Sequence, residues 1–226
     1  MRALLLSAAM LAATVSFAPA QTPHADPARQ YANCMSLARS EPRRAIELAA
    51  AWEKAGGGTG ARHCRAIALF GLGSHVEAGQ MLEALGREMT GQTPALRAEV
   101  FAQAGQAYQA ARLGEQALAA QNAAILLDPR NAEIWIDRSI TYAGVGDWRA
   151  AISDLTRALQ LKPGRVDALV MRAAARRQSN DAKGAVADAD AAVRADANNT
   201  EALLERGLAR RAAGDRAGSD TDLRRL

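Results

Sequence analysis

Histidine and cysteine are both scarce in this chain. His24, His63 and His75 are its only three histidines, and Cys34 and Cys64 its only two cysteines, in 226 residues. No C-x-x-C and no H-x-x-x-H occurs, and two cysteines set apart do not make a zinc site. No C-x-x-C-H offers covalent haem a seat. The signatures of phosphate-binding and nucleophile loops are missing as well: G-x-x-x-x-G-K-[ST], G-x-G-x-x-G after a strand, and G-x-S-x-G. The sequence therefore predicts no metal, no cofactor and no catalytic residue. Aromatics are few, with three each of Phe, Tyr and Trp, and no stretch alternates β-branched residues, which disfavours a β fold. The net charge is only +4. The arginines of the C-terminal end (Arg176, Arg177, Arg210, Arg211, Arg224, Arg225) are interleaved with Asp181, Asp188, Asp190, Asp215, Asp220 and Asp222. A phosphate-tracking surface with stacking aromatics is not visible, which argues against nucleic acid as a partner.

Long apolar runs are absent except at the start. Arg2 is followed by an almost unbroken apolar run from Ala3 to Phe17 and then by Ala18-Pro19-Ala20. A charged residue, an apolar core and a small-x-small site read as a secretory signal peptide over 1–20, cut before Gln21. The run is short of the roughly 20 residues of a spanning helix. The expected location is periplasmic or secreted. Residues 21–28, with Pro23 and Pro27, read as a flexible lead-in.

What the chain does have is alanine, leucine and a period. From Ala98 to Asn199 three consecutive 34-residue units (98–131, 132–165, 166–199) align without a gap, and 200–226 begins a fourth in register. The fourth slot of each full unit holds Phe101, Trp135 and Leu169, and the eighth Gly105, Ser139 and Ala173. Tyr108, Tyr142 and Arg176 occupy the eleventh, Ala117, Ala151 and Ala185 the twentieth, and Ala124, Ala158 and Ala192 the twenty-seventh. Gly146-Asp147 and Asn180-Asp181 mark turns inside units, while Asp128-Pro129 and Lys162-Pro163 close two of them. This pattern resembles the tetratricopeptide repeat. The resemblance implies an all-α, right-handed superhelical solenoid of helix-turn-helix hairpins with no catalytic activity.

Upstream, 29–97 reads as two degenerate hairpins. Ala45, Ala49 and Trp52, and then Ala78, Leu82 and Leu85, keep the spacing of second helices. Gly56-Gly57-Gly58-Thr59-Gly60 between them reads as a loop, Thr90 to Pro94 as a short insertion, and Thr93-Pro94 as a helix start. Cys34 and Cys64 then fall in the first helices of adjacent hairpins, and an even cysteine count in an oxidising compartment predicts a Cys34–Cys64 disulfide. At the other end no polar capping helix is apparent, so Leu223 and Leu226 are expected at an apolar edge open to self-association.

Charge follows the period. Arg138, Arg172 and Arg206 recur 34 residues apart, each 16 residues before Asp154, Asp188 and Asp222. In the unit starting at Ala98 the equivalents are Ala104 and Ala120, so both charges are missing together. Joint absence predicts structural ion pairs, worth ~0–1 kcal/mol each if exposed. The resemblance places the second, fifth, ninth and twelfth slots on a concave groove. Gln106, Gln109, Ile136, Ile140, Val170, Arg177, Leu204 and Arg211 are the candidate contacts there. Glu99, Glu133, Asp167 and Glu201 form an acidic rim, with Arg177 and Arg211 available to a partner's carboxylates. The Lys and Asn clamp of the family's chaperone-tail binders is not found. The expected function is a non-catalytic protein-binding scaffold or adaptor in the periplasm. The alternative is an envelope-assembly factor that contacts peptidoglycan or anionic lipid.

Overall fold

The turn in the middle of each 34-residue unit shows how local chemistry builds the architecture. Its fifteenth residue sits at positive φ in every unit: Arg112 (60°), Gly146 (81°), Asn180 (65°) and Gly214 (88°). That left-handed residue stops the first helix. In three units an aspartate follows and caps the second helix, with Asp147, Asp181 and Asp215 accepting from the N–H groups of Ala150, Gly184 and Gly218 at 2.9–3.0 Å. Asn131 and Asn199 cap the first helices of two units in the same way.

The computed structural model describes residues 26–226; the expected signal segment and residues 21–25 of the lead-in lie outside them. The described residues form twelve helices and no strand. They pair as hairpins: α1 (Pro27–Ser40) with α2 (Pro42–Lys54), α3 (Gly58–Gly71) with α4 (His75–Glu88), and α5 (Pro94–Ala110) with α6 (Gly114–Leu127). Three more follow: α7 (Ala132–Gly144) with α8 (Trp148–Leu161), α9 (Val166–Gln178) with α10 (Ala182–Ala195), and α11 (Thr200–Ala212) with α12 (Arg216–Leu223). From α2 onward each helix packs chiefly on its chain neighbours, and first helices of successive hairpins also touch, α5 on α7, α9 on α11 and most extensively α1 on α3. No pair of second helices packs comparably. The chain is thus an all-α solenoid of helical hairpins whose inner face is made by the odd-numbered helices.

Close approach is set by small residues. The alanines of the twentieth and twenty-seventh slots (Ala117, Ala124, Ala151, Ala158, Ala185, Ala192) are all 0% exposed. Between α4 and α5 the same end is reached differently. A Cβ on Gly79 would lie 2.8 Å from the Tyr108 ring, and one on Gly86 would lie 2.9 Å from the Phe101 ring. Two aromatic rings of α5 therefore seat on two glycines of α4 and join the irregular hairpins to the regular array. Tyr108 also donates to Glu83 at 2.8 Å, and burial together with that bond pushes its phenol up to about 12. Burial of Leu82, Leu85 and Val100 in the same cluster contributes on the order of 1.5–3 kcal/mol per side chain.

Three expectations are corrected by the structure. Helix α1 begins at Pro27, capped by Asp26, so the last two residues of the expected lead-in are helical. The glycine run is not wholly a loop, since α3 starts at Gly58 and takes Thr59 and Gly60 into its first turn. Its glycines answer to packing: a Cβ on Gly57 or Gly60 would lie 2.6 Å or 3.0 Å from the Trp52 indole, which fills the space between them. Leu223 is not at an open edge, because it packs on Gly207 of α11, while Leu226 beyond it is 56% exposed.

Candidate functional site

Two sets of polar contacts run along the solenoid, and they do different work. The first ties each hairpin to itself. Arg138 holds Asp154 through two parallel hydrogen bonds of 2.8 Å, and Arg172 holds Asp188 at 2.8 and 2.7 Å. Arg206 grips Asp222 in the same fork. These are the periodic pairs expected from the sequence, but they are buried rather than exposed, with the three aspartates only 3%, 5% and 1% accessible. The Asp154 bond raises the Arg138 guanidinium above its ordinary value and outweighs burial, and Asp222 does the same to Arg206.

Each arginine also turns a third nitrogen toward the preceding hairpin. Arg138 reaches Asn122 at 2.6 Å, Arg172 reaches Thr156 at 3.1 Å and Arg206 reaches Asp190 at 3.4 Å, always 16 residues back. The guanidinium thus bridges the second helix of its own unit and that of the unit before. Arg176 and Arg210 join from the eleventh slot, binding Asp188 at 2.9 Å and Asp222 at 2.8 Å. In α7 that slot is Tyr142, whose ring lies 5.5 Å from the Arg138 guanidinium. Where the arginine is Ala104, buried Gln121 of α6 finds no hydrogen-bond partner among the described residues for either atom of its amide.

The second set runs across the inner face. Tyr31 of α1 donates to His63 Nδ1 of α3 at 2.8 Å, and His63 Nε2 donates to Gln103 Oε1 of α5 at 2.7 Å. The carbonyl acceptor at Gln103 requires the proton on Nε2, which leaves Nδ1 to accept from the phenol. Gln106 donates to Asp137 at 2.8 Å, Gln109 to Thr141 at 3.2 Å, and Arg177 to Glu205 at 2.8 Å. First helices are therefore stitched along the inner face, α1 to α3, α3 to α5, α5 to α7 and α9 to α11. Burial lifts the Asp137 carboxyl above the usual aspartate value against the Gln106 hydrogen bond, with Glu133 adding to the rise.

These contacts revise the candidate groove residues. Arg177 is not available to a partner's carboxylate, because Glu205, 7% exposed, already occupies it. Ile136 is 5% exposed and belongs to the core with Leu155 and Ala158. Val170 is partly buried against the cluster of Leu169 and Leu203. Gln106 and Gln109 are engaged across α5 and α7. Ile140 (40%) and Leu204 (42%) are exposed, and so is Arg211, with a long 3.8 Å contact to Asp220. On the rim, Glu133 is held by Lys162 and Arg165, and Asp167 by Arg165. Glu99 and Glu201 have no ion-pair partner among the described residues.

The irregular end of the inner face holds a pocket of about 380 Å³, which the sequence pattern did not disclose. Helices α1, α3 and α5 and the end of α4 surround it, with the Tyr31–His63–Gln103 chain in its wall. Behind it Cys34 and Cys64 form a disulfide, both 0% exposed and 6.0 Å apart at Cα, which clamps α1 to α3 as expected. Among the described residues no group of three His, Cys, Asp or Glu side chains could hold a metal ion.

Stacked helical hairpins with a laced inner face define the class of helical repeat proteins. Within it, the tetratricopeptide repeat model matches residues 104–176. No curated protein matches the chain at a significant level. Among solved structures it is similar to the MamA protein, at 17% identity over 74% of this chain and 88% of that one with a TM-score of 0.65. MamA 41-end from Desulfovibrio magneticus RS-1 is similar over 70% of this chain and 87% of that one, at 14% identity and a TM-score of 0.62. The first TPR of Spaghetti (RPAP3), bound to the HSP90 peptide SRMEEVD, covers 53% of this chain and 95% of its own, at 23% identity and a TM-score of 0.51. At these identities the likeness is one of fold.

Proposed function

We propose that this chain is a non-catalytic scaffold that binds a segment of a protein partner along the inner face of its solenoid. The observation that carries the reading is the lacing of that face. Tyr31, His63, Gln103, Gln106, Gln109 and Arg177 are each tied to a neighbouring first helix, so the surface is held in shape before any partner arrives. Ile140 and Leu204 stand between these ties as apolar contacts. The peptide-bound RPAP3 repeat of similar fold supports the same use.

Photo-crosslinkers placed at Ile140, at Leu204 and at Leu126 test it. Leu126 lies on the second helix α6 and is 84% exposed, so it serves as the control for the outer face. Protein adducts from Ile140 and Leu204 that Leu126 does not give are the expected result. Equal labelling from all three, or adducts to envelope polymer or lipid alone, overturns the scaffold reading in this form.

We further propose that the protein is exported and acts in the periplasm or outside the cell. Arg2, the apolar run and Ala18-Pro19-Ala20 support this, and so does the Cys34–Cys64 disulfide, a bond that persists in oxidising compartments. Cell fractionation with N-terminal sequencing checks it, with a mature protein beginning at Gln21 as the expected outcome.

A further inference from the structure

The pocket between α1, α3 and α5 is irregular in the way a specificity site is. Its walls are Met35, Leu85, Met89, Leu96 and Val100, and its volume of about 380 Å³ falls at the lower end of the ~300–1,000 Å³ typical of ligand sites. Methionine suits such a wall because its unbranched thioether adapts to differently shaped side chains. The phenol of Tyr31 and the ring N–H of His63 are already matched within it: Tyr31 gives to His63, and His63 to Gln103. An entering apolar side chain therefore strands neither of those two donors.

Charge decides which apolar segment fits. Among the described residues Glu99 is the one formally charged side chain lining the pocket, and no lysine or arginine lines it. Glu99 is exposed and has no ion-pair partner among the described residues, whereas Glu133 and Asp167 in the same slot of later units are neutralised by Lys162 and Arg165. Its field reaches into the pocket, where burial and then the Glu99 charge raise the Tyr31 phenol. Of the basic groups nearby, Arg62 is held by Glu88 and Arg97 by the Gly86 carbonyl, while the exposed Arg39 lowers the Tyr31 phenol against the larger effect of Glu99.

We propose that this pocket binds a partner segment presenting an apolar side chain directly beside a basic one, the apolar group entering between Met35 and Met89 and the cation meeting Glu99. This rests on the protein-binding reading above and deepens it by naming the chemistry of the segment.

The experiment uses the full-length, disulfide-bonded chain and fluorescein-labelled octapeptides with a central Leu, Met or Phe flanked by Lys, by Ser or by Glu. The Lys-flanked series binds tightest. Glu99→Gln weakens that series about threefold, and Glu99→Arg weakens it about tenfold while improving the Glu-flanked series. Position 99 is exposed, and unchanged thermal melts establish that both variants fold. Equal affinity across the three flanks, or a Lys-flanked series indifferent to Glu99→Arg, overturns the proposal. If binding is instead lost with Ile140→Lys and Leu204→Lys, the protein-binding reading stands and the pocket assignment falls. If no peptide of any series binds, both fall. Sedimentation that shows a dimer dissociated by Glu99→Arg assigns the pocket to a second copy of the chain and likewise overturns the proposal.

Discussion

The guanidinium of Arg138 lies fork to fork on the Asp154 carboxylate at 2.8 Å, across the two helices of one hairpin, with the aspartate 3% exposed. Removing one partner leaves a buried charge without its counterion. Arg138→Ala is expected to cost ~3–5 kcal/mol. The double variant Arg138→Ala with Asp154→Ala reproduces Ala104 and Ala120 of the preceding unit, both already buried in this fold. It recovers most of that loss, and urea unfolding of the two variants checks the order.

Gln121 is 0% exposed, and its amide meets no donor or acceptor among the described residues. The equivalent positions in the next two units are the apolar Leu155 and Ala189. Gln121→Met keeps the unbranched outline under Gly105 and removes an unsatisfied group. It is expected to stabilise the chain by ~1–2 kcal/mol, read as a higher urea midpoint at unchanged slope.

Cys34 and Cys64 close a loop with a sequence separation of 30. On the chain-entropy estimate the bridge contributes ~3–4 kcal/mol. The Cys34→Ala, Cys64→Ala protein, or the reduced wild type, loses protection first in α1 to α3. Hydrogen exchange that stays uniform along the chain would contradict this.

Asp137 titrates in the folded chain above its ordinary value, mainly through burial. Between the unfolded and folded values the native state holds more of the proton than the unfolded state does. Stability from this group is therefore highest at low pH and falls as pH rises through that interval. Asp137→Asn keeps an acceptor for Gln106 and removes the titration. The variant should match the wild type below the ordinary aspartate value and exceed it at neutral pH, in urea titrations repeated across pH.

Glycines predict opposite outcomes in one architecture. Gly79→Ala drives a methyl to 2.8 Å from the Tyr108 ring and is expected to cost ~1–3 kcal/mol despite the better helix former. Gly144, at the end of α7, has nothing within 4 Å of an added Cβ. Gly144→Ala is expected to gain ~0.4–1 kcal/mol. Thermal melts of the pair decide whether packing or backbone freedom governs each site.

The sequence discloses the hairpins because packing repeats with the period: the buried alanines of the twentieth and twenty-seventh slots fall at fixed spacing. The Arg–Asp pairs were legible for a sharper reason, since Ala104 and Ala120 lose both charges at once. Their burial was not legible, because spacing says which residues meet and not how much water reaches them. The sequence pattern leaves Arg177 without its partner. Its partner Glu205 sits in the sixth slot of the next unit, where the other units have Gln103, Asp137 and Met171, so no periodic signal announces it. The Tyr31–His63–Gln103 chain was hidden by irregular offsets of 32 and 40 residues, set by the glycine run and the insertion before α5.

The backward reach of each arginine bears on how such a chain can grow. Arg206 draws on Asp222 of its own hairpin and on Asp190 of the hairpin before. A duplicated 34-residue unit would arrive with its own cation, its own carboxylate and an acceptor for its successor, and would seal to both flanks without any other change. An insertion of any other length would set each guanidinium opposite the wrong turn of helix. Lengthening in whole units is thus built into the contacts themselves, and the missing charges at Ala104 and Ala120 mark the unit at which that rule begins.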